Sequence, residues 1–212
     1  MFSLSHHLTR RPFARGLTGA AAPLLIAVAI ATPFGGARAQ VAQAAALSFD
    51  AKSAAHVRKE FLTDMDTLHS KILALANAIP ADKYSWRPAP GVRSVSEVLM
   101  HVTGEWYHWA PASMGGKAPA ELGANQKDIM AKLQELEKTT SKADVIAAMN
   151  KSWTHCRAQI LAADPAQMTA AYKPWGVTID AAAFGMAGDL HEHLGQLIAY
   201  SRSVGVKPPW SK

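Results

Sequence analysis

The stretch "SVSEVLMHVTGEWYHWAP", residues 94–111, decides how the chain is read. Ser94 followed three residues later by Glu97 is a capping box: a hydroxyl and a carboxylate satisfy backbone N–H groups that a first helical turn leaves free. The pattern predicts a helix from Val95 to about Ala110, stopped by Pro111. Val98 and Leu99 make its setting apolar, yet three ionisable side chains interrupt it. Glu105 lies four residues beyond His101 and His108 seven, so both point within about 40° of the His101 direction on a regular helix. The helix is expected to present one polar stripe, with His101 deepest in the apolar context.

A second stretch, "DLHEHLGQLIAY" (residues 189–200), poses the complementary question. Asp189 and His193 are i and i+4, about 40° apart around a helix, whereas His191 and His193 are about 200° apart. Asp189 and His193 can therefore serve one ion, and His191 is expected to be exposed or to stand behind the ligands. Met186, Leu190, Leu194, Leu197 and Tyr200 form the apolar band beside them. From spacing alone, a histidine on an apolar helix is more often a hydrogen-bonded core residue than a ligand. If His101, Asp189 and His193 do bind an ion, facing helices of a bundle core are a usual place for it. Nitrogen and oxygen donors with open positions suit zinc, nickel, manganese or iron.

The remaining pattern is helical as well. Val57, Phe61, Leu62, Met65, Leu68 and Ile72 recur at helical spacing between Ser53 and about Ala78, where Ile79-Pro80 ends the helix. A short helix is expected near Gln126 to Lys138. Ser141 and Asp144 open a third long one to about Ala163, and Thr178 caps a fourth from Ile179 to about Val204, with Gly205 as its stop. No convincing run of strands and no internal repeat appears. Four long helices argue for an all-α four-helix bundle.

Composition bounds the function classes. The formal charge of +6 is concentrated at the start, where Arg10, Arg11, Arg15 and Arg38 face no acid within residues 1–39. The rest carries 18 basic and 16 acidic residues, a balance with no nucleic-acid footprint. Residues 1–39 read as an export signal: a basic start, an Ala-rich apolar middle and Ala37-Arg38-Ala39 as the cleavage pattern. "TRRPFAR" also resembles a twin-arginine signal, and ordinary secretion stays open beside it. Pro23 and Pro33 argue against a permanent membrane anchor. Residues 40–52 read as a loose arm and 53–212 as the bundle, in the periplasm or secreted. Cys156, the single cysteine, reads as a packed apolar side chain. His56 and His69 read as surface residues, and His155 as a partly buried packing residue.

"ADKYSWRPAPGVRSVSEVLMHV" and "HLGQLIAYSRSVGVKPPWS" together carry a resemblance. The first is similar to a loop leading into a helix with one histidine, and the second to a last helix with an H-x-G-Q signature and a Pro-Pro turn, in the DinB-like (damage-inducible) superfamily. The resemblance implies a bundle of the DinB/YfiT-like type, up-up-down-down and often dimeric. It implies a three-histidine metal centre, with one ligand from the second helix and two from the last. His101 matches the first ligand and His193 the last. The middle one falls on Asp189, a departure that makes a two-histidine, one-carboxylate site.

The resemblance further implies thiol-dependent transfer or isomerisation, in which the metal lowers the pKa of a small thiol. Export weakens that version and leaves metal-activated water as the alternative, with Glu105 or His108 as base. The expected function is thus a metal-dependent hydrolase or transferase acting on an unidentified small molecule. The rivals are a binding module that turns nothing over and a structural domain. Trp106, Tyr107 and Trp109 are expected to pack the bundle ends rather than line a pocket.

Overall fold

The computed structural model describes residues 50–211, so the expected export signal and all of the expected arm before Asp50 lie outside the described residues. Four long helices make the frame: α1 (Ala51–Ala78), α2 (Val95–Tyr107), α5 (Lys142–Ala162) and α6 (Ile179–Ser203). Two shorter ones, α3 (Trp109–Ser113) and α4 (Gln126–Leu136), lie in the connection between α2 and α5. Among the described residues the only sheet is a two-residue hairpin, β1 (Ala171–Tyr172) with β2 (Val177–Thr178), turned at Gly176 with φ +66°. No helix among the described residues is long and apolar enough to cross a membrane.

The helix ends follow local chemistry. Asp50 caps α1 by accepting the Ser53 N–H at 2.7 Å, so the helix starts two residues before the expected Ser53, which supplies a backbone donor instead of the cap. The capping box of α2 is present: Glu97 N–H donates to Ser94 Oγ at 3.3 Å, and Ser94 N–H donates to Glu97 Oε2 at 2.7 Å. Asn125 caps α4, accepting from Asp128 N–H at 3.1 Å. Ser141 precedes α5 at the expected position, but its side chain makes no capping bond.

Pro111 does not stop α2. The helix ends earlier, at His108, whose φ of −127° and ψ of −63° leave the helical region. A new helix, α3, starts there, and Pro111 sits in its first turn, where a missing N–H costs nothing.

Each of α1 and α2 packs against both α5 and α6. Arg58 near the start of α1 donates to the carbonyl of Ala163 after α5, at 2.7 Å. Lys142 at the start of α5 reaches the carbonyl of Ile79 after α1, at 2.7 Å. These two helices are therefore antiparallel. Asp64 on α1 meets His191 on α6, while Val57 and Phe61 lie opposite Ala183 and Ala187, so α1 and α6 run the same way. Tyr200 near the end of α6 bonds Arg93 just before α2, which makes that pair antiparallel. The order is up-down-down-up, a correction to the expected up-up-down-down. Met65, Leu68 and Ile72 of α1 close on Leu99 and Trp106 of α2, Met149 and Ile160 of α5 and Leu190 and Leu197 of α6, all fully or almost fully buried. Cys156 is in the same core, and burial pushes its thiol pKa well up, as a packed side chain requires.

His69 corrects a surface assignment. Its ring stacks on Trp153, with centroids 4.6 Å apart, and meets the edge of Trp106 at 5.3 Å. Its polar neighbours in the sequence conceal that α1 turns this position toward the aromatic side of α5. Burial lowers its pKa to about 4, against a smaller upward pull from Asp66. An unfolded histidine titrates near about 6.5, so between these values the unfolded chain binds a proton that the folded chain refuses. Stability linked to His69 is complete above that window and is lost as pH falls toward 4. A loss on the order of 1–2 kcal/mol is expected, allowing for the solvent that still reaches the ring. His69→Phe, which keeps the stack, should show a flatter fall in denaturation midpoint from pH 7 to pH 4 than the wild type.

Candidate metal centre

His101 and Glu105, one turn apart on α2, face His193 on α6, and one ligand atom from each lies within 4.8 Å of the others. The two imidazole rings meet edge to face with centroids 4.9 Å apart. Glu105 Oε1 is the focus, 3.3 Å from His101 Nε2 and 3.5 Å from His193 Nε2. Glu105 is also the deepest of the three: its side chain is 5% exposed, against 28% for His101 and 15% for His193. The expectation that His101 would lie deepest is therefore corrected. At His101 the stripe turns outward to meet α4, whereas Glu105 sits between Gly104 and Trp106 on a stretch buried all round.

Hydrogen bonds on the far side of each ring fix the tautomers. His101 Nδ1 is 2.7 Å from the Glu137 carboxylate, which only accepts, so Nδ1 carries the proton. On α6 the Tyr200 hydroxyl donates to Arg93 O at 3.1 Å and accepts from Gln196 Nε2 at 3.1 Å. The Gln196 carbonyl oxygen is thereby turned to His193 Nδ1, 3.2 Å away, and accepts its proton. Both neutral rings then aim an Nε2 lone pair at a carboxylate oxygen. Facing acceptors repel, and a cation or added protons must sit among them. The outer oxygen of Glu105, Oε2, is buried without a donor. Two imidazoles and a carboxylate, with the outer nitrogens held by acceptors, fit a divalent transition metal.

The electrostatics follow from this convergence. Burial raises the Glu105 pKa, but once the rings carry the added protons, hydrogen bonds from His101 and His193, with a further one from Asp189, outweigh it and hold the group at about 2. Hydrogen bonding to Glu105 raises both histidines, against the opposing effect of burial. Asp189, one turn before His193, is pushed up to about 6 by burial and by the Glu105 carboxylate next to it.

The other expected residues are distributed differently. Asp189 touches Glu105 and lies outside the three-residue group that could hold a metal, where Glu105 takes the carboxylate position. His191 points to α1 and bonds Asp64 through Nε2 at 3.0 Å. His108 bonds Gln126 through Nε2 at 3.1 Å, packs on Trp109 and is not in the group. The seven-residue spacing from His101 presumes a continuous helix, and the backbone breaks at His108 itself. Trp86 packs on Tyr200, Trp109 on Trp175 and Trp106 in the core. A groove of about 690 Å³ beside Trp210 and an apolar cavity of about 370 Å³ below Phe184 contain none of the three residues.

Residues 64–197 match the family model of the DinB superfamily, and the chain belongs to that superfamily. The matched span includes His101, Glu105, Asp189 and His193. No curated protein and no solved structure matches the chain.

The raised Asp189 pKa has a measurable consequence in chelator-treated protein. The folded chain holds a proton on Asp189 up to about pH 6, whereas the unfolded chain releases it near its ordinary 3.8. Asp189 therefore costs stability above this window and costs none below it. Asp189→Asn should raise the thermal midpoint at pH 8 and leave it nearly unchanged at pH 3.5, as read by melts in the presence of EDTA.

Proposed function

We propose that this member of the DinB superfamily is an exported, metal-dependent hydrolase that acts on a small molecule. The observation that carries the reading is the aim of both Nε2 atoms at one buried oxygen of Glu105, with each Nδ1 engaged elsewhere. In this reading His101, Glu105 and His193 hold one divalent ion, with zinc, nickel, manganese and iron all suited to the donors. The ion would supply Lewis acidity, lowering the pKa of a water or thiol bound to it.

The chain's own residues supply the rest. Glu137 and Gln196 keep the imidazoles oriented, and the apolar neighbours of Glu105 keep water from its inner side. Asp189 stands at the exposed edge of the site with a pKa of about 6, where its carboxyl can take a proton from a nucleophile and return it to a leaving group. Glu105 and Asp189 thus exchange the roles that spacing suggests for them. Hydrolysis is favoured over thiol transfer by this proton carrier and by the signal-like residues 1–39, which support a location outside the cytoplasm, where small cofactor thiols are scarce.

The test is elemental analysis of protein purified without a histidine tag. About one equivalent of a transition metal is expected, lost in Glu105→Ala and His193→Ala and kept in Asp189→Asn. Absence of metal after incubation with zinc, nickel, manganese and iron would reject the reading. A metal-loaded Asp189→Asn protein should then lose most turnover on whichever ester or amide the wild type hydrolyses. Retained turnover would remove Asp189 from the proton path.

A further inference from the structure

The connection between α2 and α5 contributes to the site from outside the four-helix frame. Gly104 on α2 has no side chain, and a Cβ there would meet Leu133 of α4 at 3.5 Å. Leu133 thus packs over Gly104, and Ile129 and Leu133 sit against Tyr107 and Leu122 in a small apolar cluster of their own. The two helices align in opposite directions. One turn beyond Leu133 is Glu137, one turn before Gly104 is His101, and these two meet at 2.7 Å. The Glu137 carboxylate also pairs with the Arg93 guanidinium at 3.6 Å.

Arg93 links both histidines. Its side chain pairs with the carboxylate that holds His101, and its carbonyl accepts from the Tyr200 hydroxyl, which orients Gln196 and through it His193. The outer hydrogen bonds of the two rings therefore close on one residue, immediately before the α2 capping box.

We infer that Glu137, delivered by α4 and held by Arg93, is the positioning residue of the metal centre: it keeps the proton on His101 Nδ1 and so keeps Nε2 free to bind an ion. The inference rests on the metal-binding reading of His101, Glu105 and His193. A carboxylate behind a ligating imidazole fixes its ring and increases its basicity, and removing such a partner typically weakens metal binding about 10- to 100-fold. Metal affinity is thus tied to the docking of α4, a helix that contributes no ligand.

The experiment measures zinc affinity by chelator competition and the visible spectrum of the cobalt-substituted full chain. Variants are Glu137→Ala, Glu137→Gln and Arg93→Ala, with Glu135→Ala as a control on the same helix, since Glu135 pairs only with exposed Lys138. Glu137→Ala is expected to lose about 10- to 100-fold in affinity with shifted cobalt bands. Glu137→Gln, whose amide oxygen still accepts from Nδ1, should lose less, Arg93→Ala less than Glu137→Ala, and Glu135→Ala nothing. If Glu137→Ala fails to fold in chelator, Glu137→Gln becomes the deciding variant. A folded Glu137 variant that binds zinc as the wild type does, with an unchanged cobalt spectrum, overturns the inference and leaves the metal site standing. A wild type that binds neither ion overturns the metal reading, and this inference with it.

Discussion

The buried carboxylate of Glu105 is the constraint around which the α2–α6 face is organised. An ionised carboxyl among apolar side chains costs several kcal/mol unless charge or hydrogen bonds compensate. Its compensation comes from two helices, His101 one turn earlier on α2 and His193 across the interface on α6. That requirement sets the register between the helices, because a slide of one turn would take His193 away from Glu105 and bring Asp189, a like charge, or Gln196 and Leu197 in its place. The Tyr200–Arg93 bond, two turns along α6 from His193, fixes the same register from the end of the bundle.

Much of the frame was legible because it is written in local chemistry. Ser94 and Glu97 announce the start of α2 through atoms only three residues apart, and the four long helices follow from apolar spacing. What depends on distant partners was not legible. His69 sits among polar neighbours in the sequence and reads as surface until Trp106 and Trp153 arrive from other helices. The break at His108 is local, but Pro111 three residues later offers a competing place to end the helix. Helix directions in the bundle also escape the sequence, since connections as long as Ile79 to Ser94 permit either a return or a crossover.

The site was legible in its histidines and less so in its carboxylates. His101 and His193 stand out by helical phase and by family resemblance. Glu105 shares the phase of His101, but a carboxylate beside a histidine serves equally as base or ligand, and only depth separates the two roles. Its depth shows only in the structure, where Val102 to Tyr107 are buried without a break: a charge there has no solvent to face and must be paired. Glu137 gave no signal at all. It belongs to a helix whose other charged residues are exposed, and it reaches His101 only through the packing of α4 on α2, where Leu133 lies over Gly104.

Two neighbouring carboxyl groups, one held at about 2 and the other pushed to about 6, show how unlike surroundings separate like residues. The difference does not arise from the carboxyls, which are chemically alike. It arises from their surroundings: Glu105 faces two imidazoles, whereas Asp189 is raised first by burial and then by Glu105 beside it. In the proposed reading, an ion held by Glu105 would ease the part of the Asp189 shift that comes from Glu105, and burial would still hold Asp189 above its ordinary value. Environments that push paired carboxyls apart are how a single fold assigns acid and base roles. Here the separation of the two follows from which helix each carboxyl rides on: Glu105 on the buried face of α2, and Asp189 at the outer edge of α6.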